Sequence, residues 1–178
     1  MKTTEAENLN PQPTSAALSA SGVALRILII LNWLYGAVIL ALLIISVTAG
    51  WPIMTPSPEN ERLILGMRAV ALLGLVCIPL HYVFLRRLFD IVESVRARDP
   101  FVGQNAARLQ SIAWALLGLQ VLSVVIGAIA KGVSTPAHPF RVDAGFSAGG
   151  WLAVLLLFVL ARVFAEGARM RDELEGTV

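Results

Sequence analysis

Charge is scarce in this chain. Asp, Glu, Lys and Arg make up 15% of its 178 residues, against about 25% in soluble domains. The 14 basic and 12 acidic side chains leave a formal net charge of +2. That is too little for a protein that grips nucleic acid by neutralising phosphates, so direct nucleic-acid binding is not expected. A single cysteine, Cys77, excludes an intrachain disulfide and any cysteine-rich metal site. The two histidines, His81 and His138, fall near opposite ends of apolar runs, about 30 Å apart if those runs cross a bilayer, and cannot share one ion within a subunit. No Walker loop, H-E-x-x-H or G-x-S-x-G motif occurs. The sequence therefore argues against an enzyme, and no catalytic residue, cofactor or metal is expected.

What fills the chain instead is hydrocarbon. Hydrophobic residues make up 57% of it and the mean hydropathy is +0.74. One small core cannot hide that much apolar surface from water, so the composition points to an integral membrane protein. A membrane helix needs about 20 mostly apolar residues to match a core of about 30 Å. Four stretches qualify, at about residues 24–47, 63–85, 109–131 and 145–164. They lack the strict alternation of barrel strands. The first is too long for a signal-peptide core of 7–15 residues and reads as a span. The expected fold is all-α, a four-helix transmembrane bundle over residues 23–165. A Ser/Thr/Pro/Asn-rich disordered tail precedes it at 1–22 and a charged tail follows it at 166–178.

Basic residues set the orientation. The 86–108 connection and the two chain ends together carry ten Lys and Arg, and the other two connections carry three. The positive-inside rule then places both termini and the middle loop in the cytoplasm. Trp51 and Trp151 fall where aromatic belts are expected, near the outer ends of the first and fourth spans.

The cytoplasmic loop carries the most legible features. Residues 86–98 read as a helix continuing out of the second span by about 20 Å. Leu88, Val92 and Val95 share one face. Arg86 with Asp90, and Glu93 with Arg96, have pairing distance along the other. Asp99 suits an N-cap and Pro100 the first position of the next helix. Two readings stand side by side: a membrane-surface helix anchored by arginines, or a docking surface for a cytoplasmic protein. The docking reading draws on Arg86, Arg87, Asp90, Glu93, Asp99, Pro100, Phe101, Asn105 and Arg108, with Arg169 and Glu173 from the C-terminal tail.

Polar residues within the spans are few. Arg68 lies about 9 Å inside Arg62, close enough to snorkel outward or to pair with a neighbouring helix. Asn32 and Gln120 are nearer mid-depth, where amides tie helices together. Ser123 and Gly127 offer a small-xxx-small surface for close backbone approach, and Pro79 interrupts the second span. No Asp or Glu falls between the expected span ends, which argues against proton-coupled transport.

Two motifs carry a resemblance. Asp99-Pro100-Phe101-Val102-Gly103-Gln104-Asn105-Ala106-Ala107-Arg108-Leu109, followed by Ile112 and Trp114, is similar to the middle-loop signature of an uncharacterised bacterial four-helix membrane family, domain of unknown function 2975. The tail from Val163 to Val178 resembles that family's C-terminus, and the likeness covers about residues 24–178. Gln104 stands where the family more often has Glu. The resemblance implies a multi-pass protein of the bacterial inner membrane with no established activity. Family members are often encoded beside a small helix-turn-helix transcription regulator, which implies such a regulator as a partner. The expected function is an interaction or regulatory partner of a cytoplasmic protein. The alternatives are a small transporter or channel-type subunit organised around Arg68, Asn32 and Gln120, or an accessory subunit of a larger membrane complex. Beyond the lipid bilayer, the oligomeric state is left open.

Overall fold

The computed structural model describes residues 13–48, 57–97, 103–135, 139–140 and 142–175. Four helices account for nearly all of them: α1 (Pro13–Thr48), α2 (Pro58–Arg96), α3 (Gly103–Val133) and α4 (Ala148–Glu175). All four are long and apolar enough to cross a bilayer, and the chain is a multi-pass membrane protein.

Local chemistry explains the helix ends. The Ser57 hydroxyl accepts from the Asn60 N–H at 3.2 Å and Pro58 follows it. This is an N-cap with proline in the first turn, where its missing N–H costs nothing. At the far end of α2 the Ala97 N–H closes on the Glu93 carbonyl at 3.0 Å. The helix crosses Pro79 without a break. Ser147 caps α4 by accepting from the Gly150 N–H at 3.2 Å. Asp99, Pro100, Phe101 and Trp51 lie outside the described residues.

The helix α1 corrects the expected tail. Residues 13–22 belong to it, although their polarity suggested disorder. Pro13 suits a first helical position. Ala16, Ala17, Leu18 and Ala20 are strong helix formers, and a helix already nucleated in the apolar run extends at little cost.

Successive helices run antiparallel. Trp33 of α1 meets Tyr82 of α2, with ring centroids 5.8 Å apart. Leu80 of α2 packs on Gly118 of α3. Trp114 of α3 meets Phe158 of α4 edge-on at 5.2 Å. Each helix packs on its neighbour in sequence, and among the described residues no other pair of helices touches. The expected four-helix bundle is therefore an open row. In water such a row would have to close to bury its flanks. In lipid the acyl chains cover them, and the hydrophobic effect no longer drives closure. Leu31, Leu34, Leu42 and Ile45 of α1 are accordingly at least half exposed.

Arginines mark two levels across the row. Arg26 and Arg86 both lie over the Phe89 ring, at 5.3 and 5.7 Å. Arg108 reaches the Asp90 carbonyl. At the other level Arg68 is bound to Ser46, and Gly66 abuts Val133, two residues past Lys131. From Arg68 to Arg86 the helix α2 is free of charge and rises about 27 Å, close to the thickness of a hydrocarbon core. The end bearing Arg86 is the hairpin end, where α2 connects to α3.

The helix α4 is displaced toward the hairpin end. Its Gly150 lies against the Gln120 amide, and Gln120 is thirteen residues short of the end of α3 at Val133, about 20 Å of rise. The other half of that lane is occupied by the connection from α3 to α4, which folds back along α3. Trp151 is thereby moved from the expected interfacial belt to mid-height, where it stacks on Phe146 with centroids 6.3 Å apart.

Candidate functional site

Three polar clusters are built on this frame. The first closes the hairpin. Asn105 is 1% exposed. Its Nδ2 donates to Ser94 Oγ at 2.7 Å, and its Oδ1 accepts from Arg108 at 2.8 Å. Ser94 in turn donates to the Ile91 carbonyl at 2.7 Å. Arg108 also donates to the Asp90 carbonyl at 3.2 Å and to Gln104 Oε1 at 3.5 Å. Buried polar groups are costly unless paired; here they are paired with each other, across the turn between α2 and α3. Asn105 thus leaves the set of docking residues. No side chain of a partner can reach it, because its amide is consumed in holding the hairpin. Arg108 is half-buried in the same network.

The second cluster is charged and exposed. Arg86 Nε lies 3.5 Å and Arg87 3.9 Å from the Asp90 carboxylate. Arg96 lies 3.4 Å from Glu93. On α4, Arg169 pairs with Glu166 at 2.7 Å and with Glu173 at 3.7 Å. The expected pairs Arg86–Asp90 and Glu93–Arg96 are both formed, one helical turn apart as local spacing dictates. These side chains stand on helix ends that project past the level of Arg86, by ten residues on α2, or about 15 Å. From Arg162 to Glu175 the projection of α4 is thirteen residues, about 20 Å.

The third cluster lies between the two levels. Asn32 Nδ2 donates to the Ile78 carbonyl at 3.1 Å, a tie from α1 to α2. Arg68 does not need to snorkel: Nε donates to Ser46 Oγ at 3.1 Å, and a terminal nitrogen donates to the Ser46 carbonyl. Ser46 is itself 5% exposed and anchors the end of α1. Gln120 packs its amide on Gly150, but Oε1 finds no hydrogen-bond partner among the described residues, and the nearby Trp151 Nε1 finds none either. Asn32, Arg68 and Gln120 are thus brought to three separate helix contacts and not to one site.

Sequence reasoning missed the connection from α3 to α4. The Gly145 N–H donates to Ser123 Oγ at 3.1 Å, and the Ser123 hydroxyl donates back to the Gly145 carbonyl at 3.2 Å. A Cβ on Gly127 would sit 2.6 Å from the Ala144 carbonyl oxygen. Gly145 has φ +146°, a region that L side chains avoid. The small surface at Ser123 and Gly127 therefore admits a returning loop backbone, not a second helix. The loop brings Asp143, itself exposed, beside this stretch of α3. Counting back along α3 from the Gly66–Val133 contact, Gly127 stands level with about Leu72, one turn inside Arg68. Asp143 lies just ahead of the fourth apolar stretch, so the expected spans themselves hold no Asp or Glu; the fold brings this loop carboxylate beside α3 all the same.

Asp143 lines a cavity of about 810 Å³. Its floor is α2 from Met67 to Leu85. One wall is α1 from Leu28 to Leu42. The other is Ile126 with the loop residues Phe140, Val142, Asp143 and Ala144.

No curated protein and no solved structure matches the chain. A family model does match, over residues 48–178, which takes in α2, α3, α4 and all three connections but leaves out α1 up to Val47. The shared unit is thus shorter at its start than the likeness traced from residue 24. On that match the chain belongs to the family described as "Protein of unknown function (DUF2975)".

Proposed function

We propose that this protein is a docking partner, not an enzyme, in the bacterial inner membrane: both termini and the hairpin end face the cytoplasm, and the projecting ends of α2 and α4 receive a cytoplasmic protein. The observation that carries the reading is the shape of the hairpin end. The ends of α1, α2 and α4 run on for about 15–20 Å past the arginine level, α1 from Arg26 back to Pro13, with Arg86, Glu93, Arg96, Arg169 and Glu173 exposed along α2 and α4. The hairpin beneath is fixed by Asn105. A rigid scaffold presenting exposed charge steers and orients a partner. The arginine excess at this end supports the cytoplasmic side, and the family resemblance favours a helix-turn-helix regulator as the partner.

Photo-crosslinking residues placed at Glu93 and Arg169 in living cells should capture a soluble cytoplasmic protein. A reporter fused after Val178 that is active only in the periplasm would refute the reading. The transporter alternative loses its original trio, since Arg68 and Asn32 are bound to neighbouring helices, but the cavity beside Asp143 supports it on other grounds. Proteoliposome flux that disappears in Asp143→Asn would favour it.

A further inference from the structure

The cavity along α2 is a trough with a charge at one end. Its floor from Met67 to Leu85 covers nineteen residues, about 27 Å of rise, and its lining is largely Leu, Ile, Val, Met and Phe. Among the polar residues that line it, Asn32 is committed to the Ile78 carbonyl and His81 to the Cys77 carbonyl. Asp143 has no hydrogen bond and no ion pair with a described residue. It is also the one acidic side chain among the described residues that lies between the levels of Arg68 and Arg86.

Asp143 is exposed and lines the trough, so its charge is met there by water or by a cation. Non-helical backbone at membrane depth is tolerated where it is buried in protein or lines a wet cavity, and the loop 142–147 is such backbone. Among the described residues no Lys or Arg lines the trough to neutralise Asp143: Arg68, one turn away in height, is bound to Ser46. A small molecule that complements these surfaces has a positive charge at one end and a long apolar body. An anion is repelled at Asp143, and a neutral chain leaves the carboxylate unpaired.

We propose that the trough binds an amphiphilic organic cation, with its ammonium head at Asp143 and its hydrocarbon body lying along α2 toward His81. The site sits away from the projecting helix ends, so it stands whether or not those ends dock a protein.

The test uses the full chain in phosphatidylcholine nanodiscs and radiolabelled tetradecyltrimethylammonium below its micellar concentration. Uptake by empty discs is subtracted. Saturable binding is expected. In Asp143→Asn, which keeps the shape of the side chain, affinity should fall at least about tenfold. Ala71→Phe places a ring in the trough floor and should abolish binding with the carboxylate intact. Circular dichroism and thermal unfolding of both variants check that each is folded. Tetradecyl sulfate, with the same tail and opposite charge, should not compete. Equal affinity of the wild type and Asp143→Asn, or competition by the sulfate, would overturn the proposal. So would displacement of the probe by an aminophospholipid added to the discs, which would reassign the trough to membrane lipid.

Discussion

At the hairpin end the protein spends its polar side chains on one another; at the opposite end it brings loop backbone inward and sets beside it a carboxylate that pairs with no described residue. The Ser94–Asn105–Arg108 network and the Ser123–Gly145 contact look alike as hydrogen-bond geometry. Their consequences differ. The first closes a turn between two helices and leaves charged surface only on the outside. The second pins a loop beside α3, so that α4 starts at mid-height and a trough opens between α1 and the loop. A hairpin built the first way is a platform. A connection built the second way makes a binding cavity, because it carries irregular backbone to a depth where lipid cannot satisfy it.

The comparison breaks most readily at Gly127. Alanine there improves helix propensity by about 1 kcal/mol, yet its Cβ falls 2.6 Å from the Ala144 carbonyl oxygen, which is backbone and cannot rotate away. Overpacking costs about 1–3 kcal/mol, and displacing the loop loses two hydrogen bonds at Ser123, each worth about 1 kcal/mol. Gly127→Ala should therefore destabilise by about 3 kcal/mol net of propensity. Unfolding in mixed micelles measures this. A Gly127→Ala protein as stable as the wild type would show that the loop does not lie against α3.

Next in size is Asn105→Ala. It removes the acceptor of Arg108 and the donor to Ser94 inside a site that is 1% exposed. Arg108 keeps its bonds to the Asp90 carbonyl and Gln104, and Ser94 keeps its bond to the Ile91 carbonyl, which limits the loss to about 2 kcal/mol. Asn105→Leu should do no better, since it fills the space but restores neither lost hydrogen bond. The same unfolding measurement decides it, and the two variants together separate packing from hydrogen bonding.

The two ends also differ in how far the sequence discloses them. Hydropathy places the four helices because lipid imposes one simple requirement, length without charge. The Arg86–Asp90 and Glu93–Arg96 pairs are legible because both partners lie within one turn of one helix. The burial of Asn105 is not, because its partner Ser94 is eleven residues away across a turn, and an Asn beside a turn has the same local sequence whether it faces solvent or a helix. Asp143 was hidden for a related reason. The residues that set its depth, Ser123 and Gly145, are twenty-two positions apart, and a hydropathy profile ranks residues by order in the chain. The open row was equally out of reach: apolar faces turned to lipid and apolar faces turned to protein have one composition.

Arg68 tests whether the opposite end is held by polar contacts as well as by the loop. Arg68→Met removes the hydrogen bonds to Ser46 and keeps much of the side-chain bulk. Ser46 lies two residues from the end of α1 at Thr48, where water can replace the lost donor, so the cost should be about 1 kcal/mol. Cysteine placed at Ser46 in a chain lacking Cys77 gives a second readout. Its labelling by a membrane-impermeant thiol reagent should rise when Arg68→Met is added, and unchanged labelling would mean that the arginine does not shield this helix end.

The smallest effect belongs to the exposed charges of the hairpin end. Arg169 is 67% exposed and pairs with two carboxylates on its own helix, Glu166 and Glu173. Such pairs contribute about 0.2–1 kcal/mol and are screened by salt. Arg169→Ala should leave the unfolding midpoint within that range, and the difference should vanish in high salt. Its effect on crosslinking at Glu93 should be much larger if the projecting ends act as one surface, because a charge that hardly holds the fold is free to select a partner. A variant that unfolds the protein would place Arg169 inside the fold; one that changes neither stability nor crosslinking would confine the docking surface to α2.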